Sequence, residues 1–263
     1  MLQIGDMEIK GLLIDLDGTV YEKDNLITGI KNTIQWIKDK NIPFKFCTNT
    51  TRKTTKEIQN KLIDMGITID ISNIISAPHA AIEYCRYKSY KSIEVFVQEK
   101  KMLNEFNEFI INNNDPEAII LGDLSSGFTY DLLTRIFKKL KAGSDLIAMH
   151  KNRFWITKGG LSLDLGPFVS ALEYAIDRSA IVVGKPNPEF FKMAIKDWDI
   201  SPENIMMIGD DIEIDIKGAQ NCNIKGGLVK TGKYDKVKVK STGIKPDCIF
   251  STLADLKKLF FHS

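Results

Sequence analysis

The feature that most constrains this chain is an apolar run that stops at an aspartate: Gly11-Leu12-Leu13-Ile14-Asp15-Leu16-Asp17-Gly18-Thr19. Four apolar residues in a row, without alternation, read as a strand buried on both faces, the kind found inside parallel sheets. Strand side chains alternate, so Asp15 and Asp17 leave the strand on the same side, and Gly18 lets the backbone turn closely around whatever they bind. Two neighbouring carboxylates repel. The pair is tolerable when a hard divalent cation sits between them, or when one keeps a proton and acts as a general acid.

The same pattern recurs along the chain. Ile42 to Cys47 reads as a strand ending at Thr48-Asn49-Thr50-Thr51, Ala180 to Val183 leads into Gly184-Lys185-Pro186, and Ile205 to Ile208 leads into Gly209-Asp210-Asp211. Helical patterns lie between them: Ile30, Ile34 and Ile37 share one face, and Ile58, Leu62 and Met65 share another that ends at Gly66. Alternating strands and helices predict an α/β fold with a doubly wound, parallel, Rossmann-like sheet. Such sheets bind ligands at the carboxyl ends of their strands, where all four polar clusters are expected to fall.

Residues 79–178 read as an inserted, smaller α/β cap domain, with residues 1–78 and 179–263 forming the catalytic core. The insert has strand patterns at Ile93 to Val97, Ala118 to Leu121 and Leu146 to Met149, and helical patterns at Glu99 to about Asn112, Tyr130 to Lys141 and Pro167 to Asp177. A hairpin is expected through Arg153 to Leu163.

At 263 residues and 43% hydrophobic, the chain can bury a core of this size. Its 36 basic and 34 acidic residues nearly cancel, unlike the basic excess of a nucleic-acid binder. The lysine-rich stretch from Lys225 to Lys245 reads as a solvated face, with Val237-Lys238-Val239-Lys240 as a lysine-guarded edge strand. Cys47, Cys85, Cys222 and Cys248 stand at neither metal nor redox spacing, so free thiols in a reducing compartment are expected. No apolar run approaches the ~20 residues of a membrane span, and a cytoplasmic location is expected.

The four clusters can together perform phosphoryl transfer, which needs an in-line nucleophile, neutralised phosphate oxygens and a proton for the leaving group. Asp15 would attack phosphorus and Asp17 would serve as acid and then base. Thr48 offers a hydroxyl, Asn49 precedes a helix whose free N–H groups favour an anion, and Lys185 supplies a mobile cation. Asp210 with Asp215 would complete an oxygen site for Mg²⁺, because Lys185 alone cannot offset so many negative charges.

These motifs, in this order, resemble the four motifs of the haloacid dehalogenase-like hydrolase superfamily, and the insert after the second motif resembles its type IIA branch of NagD-like and para-nitrophenyl phosphatase-like enzymes. The resemblance implies Asp15 as nucleophile, Asp17 as acid/base, and Mg²⁺ held by Asp15, the Asp17 carbonyl oxygen and Asp210, with Asp211 and Asp215 behind them. It also implies a small phosphorylated substrate and is compatible with a homodimer paired through the cap.

Other readings fit less well. Metal-free dehalogenation has no use for Asp17, Asp210 and Asp215 together. Gly227 to Lys233 spells Gly-x-x-x-x-Gly-Lys, but Tyr234 stands where a P-loop needs Ser or Thr, and no helix is expected to open there. His79, His150 and His262 have no Gly-x-Ser-x-Gly partner for a serine hydrolase. Two alternatives stay open: a non-catalytic phospholigand- or protein-binding module, and a protein phospholysine or phosphohistidine phosphatase. His150, Lys151, Arg153 and Trp155 are the candidates for substrate selection from the cap.

Overall fold

A computed structural model describes residues 2–4, 6–111, 114–157 and 160–260. The structure has two compact units: Met1–Thr48 with Lys56–Ile75 and Ala194–Ser263, and Asn49–Thr55 with Ser76–Met193.

The first unit is built on a six-stranded sheet in the order Cys248–Phe250, Lys225–Val229, Ile205–Gly209, Gly11–Asp15, Phe44–Thr48, Ile74–Ser76. The pairings from Cys248–Phe250 across to Phe44–Thr48 are all parallel. Every residue of Gly11–Asp15 and of Ile205–Gly209 is buried, as expected of strands covered on both faces. Leu12 and Ile14 pack with Ile34 and Ile37 of the helix Ile30–Asp39 and with Ile58 and Leu62 of the helix Thr55–Asp64. Gly66, at φ 83°, follows that second helix. Chain order runs one way from Gly11–Asp15 and the opposite way from Ile205–Gly209. The switch point, where ligand crevices open in such sheets, therefore lies between the strands that carry Asp15 and Asp210.

The second unit is also α/β, with a five-stranded parallel sheet in the order Ile181–Val182, Asp145–Ala148, Ala118–Leu121, Ser92–Phe96, Ile110–Ile111. Ile119, Leu121, Leu146 and Ala148 pack under Ile136 and Leu140 of the helix Tyr130–Ala142 and under Val169 and Leu172 of the helix Leu165–Ile176. Ile181–Val182 pairs with Ile147 and Ala148 of this sheet, so the expectation that the Lys185 cluster ends a strand of the first sheet is corrected. Three clusters end strands of one sheet, and the fourth follows a strand of the other.

Three further expectations change. In place of a helix from Glu99 to about Asn112, a 3₁₀ helix spans Lys100–Phe106 and Ile110–Ile111 pairs with Ser92 and Ile93, while Asn112 lies outside the described residues. Asparagine is a poor helix former, and the sheet edge captures the isoleucines instead. Val237 to Lys240 lie in a helix, Lys236–Thr242, capped by the Asp235 side chain on the Val237 N–H at 2.7 Å and followed by Gly243 at φ 67°. A helix therefore does follow Gly-x-x-x-x-Gly-Lys. The P-loop reading still fails, since Tyr234 holds the Ser/Thr position and Gly227 is part of a strand.

Phe154–Thr157 and Gly160–Leu163 form the expected antiparallel pair, whose turn lies outside the described residues, as does His262. The four cysteines are not disulfide-bonded, and burial pushes the Cys85 and Cys248 thiols up to about 12, which leaves them unreactive. Among the described residues no helix is long and apolar enough to cross a membrane.

Candidate active site

In the first unit, Asp15 ends its strand, Asp210 directly follows the neighbouring strand, and Asp215 returns from the first turn of the segment Ile212–Lys217. Asp211 caps that segment, its Oδ1 accepting from the Glu213 and Ile214 amides at 3.0 and 3.1 Å. The segment is a wide π-type turn, in which the Asp211 carbonyl accepts from both Asp215 and Ile216. Asp215 Oδ2 in turn accepts from the Asp211 N–H at 3.2 Å. Gly209 is required at the strand end, because a Cβ there would lie 2.3 Å from Asp215 Oδ2.

The result is three buried carboxylates, one oxygen of each lying within 4.8 Å of the others. Burial first, then the charge of Asp15, pushes the Asp210 carboxyl up to about 7, against the hydrogen bond from the Lys233 N–H; Asp215 adds to the rise. Asp211 behaves oppositely. Burial would raise it, but the Ile214 and Glu213 amides and the charges of Lys238 and Lys233 hold it below the ordinary range.

Asp17 is exposed two residues beyond Asp15, on a turn closed by the Gly18 N–H to the Tyr21 carbonyl at 2.8 Å. Its side chain accepts a hydrogen bond from the buried Tyr21 phenol, which burial and then the charges of Asp17 and Asp15 keep strongly protonated. Thr19 Oγ1 lies 3.4 Å from Asp15 Oδ2, and Thr48 is buried at the end of its strand.

In the second unit, Asn49 holds Lys185. Its amide donates to the Lys185 carbonyl at 2.7 Å and accepts from the Lys185 N–H at 2.8 Å. Both ends of that side chain thus hold the Lys185 backbone. Lys185 itself is 2% exposed. Gly184 admits the close approach, since a Cβ there would lie 2.2 Å from the Met149 carbonyl.

This unit also contains a cavity of about 260 Å³ lined by Asn49, Thr50, Thr51, Arg52, Asp123, His150, Asn152 and Asp164. Arg52 pairs with Asp123 across it. His150, buried, lies 3.7 Å from Asp164, and desolvation lowers its basicity against the pull of Asp164 and Asp123. Lys151 is paired with Glu173, while Arg153 is exposed. Trp155 lies in the strand Phe154–Thr157, and its side chain is outside the described set. Arg52, Asp123 and Asp164 escaped the sequence reading, although Ala118 to Leu121 running into Gly122-Asp123 repeats the signal that marked Asp15.

Residues 12–110 match the family profile described as haloacid dehalogenase-like hydrolase, and residues 182–256 one described as HAD-hydrolase-like. The chain is 38% identical over 226 residues to haloacid dehalogenase-like hydrolase domain-containing protein 2 of Mus musculus, covering 86% of each protein. It is 32% identical to phospholysine phosphohistidine inorganic pyrophosphate phosphatase of Danio rerio, covering 86% of this chain and 84% of that protein. The crystal structure of a 4-nitrophenylphosphatase from Thermotoga maritima superposes with a TM-score of 0.83 at 27% identity, over 95% of this chain and 97% of that one. The chain belongs to the haloacid dehalogenase-like hydrolases, in their type IIA branch, and is a phosphatase.

Proposed function

We propose that the chain is a Mg²⁺-dependent phosphatase that hydrolyses a small phosphorylated substrate, a phosphate monoester, phosphoramidate or pyrophosphate, through an aspartyl phosphate on Asp15. The observation that carries this reading is the buried group of Asp15, Asp210 and Asp215 at the sheet's switch point, with Asp17 two residues beyond the strand. Asp15 attacks phosphorus as the bond to the leaving atom breaks, and Asp17 gives that atom its proton. Water then attacks the same phosphorus, Asp17 takes the proton back, and Asp15 is released with inorganic phosphate. Thr48, in the first unit, would bind the phosphoryl oxygens; within the second unit, Asn49 holds Lys185, the cation expected to bind phosphate.

The residues fit a hard divalent cation. Three buried carboxylates meet, and Gly18 and Gly232 leave no Cβ beside Asp210 Oδ2. Asp15, the Asp17 carbonyl and Asp210 would hold Mg²⁺, with Asp211 and Asp215 behind them. When bound, the ion would neutralise charge on the phosphoryl oxygens and on this group.

The test is an assay against para-nitrophenyl phosphate, pyrophosphate and a panel of phosphate esters and phosphoramidates, with Mg²⁺ and with EDTA. Turnover is expected with Mg²⁺ alone and is expected to vanish with EDTA. Tight binding of these compounds without turnover in saturating Mg²⁺ would favour the binding-module reading. We place substrate selection in the second unit, at the cavity beside His150 and at Lys151, Arg153 and Trp155. Arg153→Ala, at an exposed position, should raise KM for the best substrate about fivefold or more, as expected for a lost charge-assisted contact, and change para-nitrophenyl phosphate little. Equal effects on both substrates would remove Arg153 from that role.

A further inference from the structure

The segment Thr231-Gly232-Lys233, just after the strand Lys225–Val229, belongs to none of the four motifs, yet it makes hydrogen bonds to Gly18, Glu22 and Asp210. Thr231 Oγ1 donates to the Gly18 carbonyl at 2.5 Å, the Gly232 N–H to Glu22 Oε1 at 3.1 Å, and the Lys233 N–H to Asp210 Oδ2 at 2.7 Å. The packing is tight. A Cβ on Gly18 or on Gly232 would lie 2.0 Å from Asp210 Oδ2, and one on Gly232 would also lie 2.5 Å from the Gly18 Cα. The Asp210 carboxylate therefore sits in a slot between two glycines, with one oxygen tied to a backbone amide.

We propose that Thr231-Gly232-Lys233 is a positioning latch: it fixes the orientation of the Asp210 carboxylate and the place of the Asp17-Gly18 turn, and so sets the affinity for the divalent cation. A short carboxylate has few rotamers, and one bound oxygen selects among them before any cation arrives. The Thr231 hydroxyl does the same for the turn, since the carbonyl it holds belongs to the residue after Asp17. One hydroxyl and two backbone amides outside the proposed ligand set thus act through two groups within it. The inference rests on the proposed Mg²⁺ site.

The test is calorimetric titration of the purified chain and its variants with Mg²⁺ alone, without substrate, beside a melting curve. Gly232→Ala should weaken Mg²⁺ binding at least tenfold, because its Cβ displaces the carboxylate or opens the latch. Gly243→Ala is the control: Gly243 has a similar left-handed backbone, φ 67° against 58° for Gly232, but a Cβ there meets nothing within 4 Å. It should lose some stability and bind Mg²⁺ as the unaltered chain does. Thr231→Val, which keeps the side-chain shape without the hydroxyl, should weaken binding several-fold, and Thr231→Ser should restore it. That pair decides the matter should Gly232→Ala not fold. Unchanged Mg²⁺ affinity in both Gly232→Ala and Thr231→Val, beside clear binding by the unaltered chain, overturns the latch alone. Failure of the unaltered chain to bind Mg²⁺ overturns the metal site, and the latch with it.

Discussion

Asp15→Asn is expected to lower turnover of para-nitrophenyl phosphate about a thousandfold or more while leaving the protein folded, because the amide cannot form the acyl phosphate. The substitution is isosteric, at a side chain 8% exposed, and it removes one of three crowded negative charges, so no loss of stability should confuse the result. The Thr19 hydroxyl can still donate to the remaining oxygen. Two measurements separate nucleophile from spectator. Acid quenching of the unaltered enzyme during turnover should trap phosphate on the chain, and the variant should trap none. Asp17→Asn should behave differently, losing more rate with a poorly leaving alkyl phosphate than with para-nitrophenyl phosphate, whose leaving group needs less protonation. An Asp15→Asn enzyme that keeps a tenth of its activity would remove Asp15 as nucleophile and with it the covalent route.

The part of the site legible in the sequence is the part governed by local rules. Apolar runs ending at Asp15, Thr48 and Asp210 announce buried strands and what stands at their ends, since full burial forbids the alternation that would blur them. Which sheet a short strand joins is not local. Ile181–Val182 looks like the other runs, yet its partner is Asp145–Ala148. Nor is the bond from Asn49 to the Lys185 carbonyl local, since it joins residues more than a hundred apart in the chain. Val237 to Lys240 alternates like a strand, but Asp235 and Gly243 supply both helix caps, and Lys238 bonds Glu213 at 2.8 Å. There the caps outweigh the alternation. The latch on Asp210 is illegible for another reason: Gly-x-x-x-x-Gly-Lys has the spacing of a phosphate loop, while its second glycine serves close backbone packing.

A site built from repelling carboxylates should cost stability when it carries no cation, and Asp210→Asn is expected to recover it. With its ordinary value at 3.8 and its folded value pushed up to about 7, Asp210 favours the folded state fully at low pH, and that contribution is lost as pH rises through about 7. Its size is on the order of 4 kcal/mol as an upper bound. Without divalent cations, the melting temperature of the unaltered chain should therefore fall between about pH 5 and pH 8 by several degrees relative to Asp210→Asn. The asparagine can still accept from the Lys233 N–H, so the comparison isolates the charge. Mg²⁺ should reverse the order. It stabilises the unaltered chain by mass action, most strongly above pH 7 where no proton competes, and should barely move the variant, which should also have lost turnover. Should Asp210→Asn melt below the unaltered chain at pH 8 without metal, the carboxylates do not repel as their burial implies, and a structural role for Asp210 would replace the metal site. If the variant instead melts higher and no longer responds to Mg²⁺, the site trades stability for cation binding, as expected of a functional cluster.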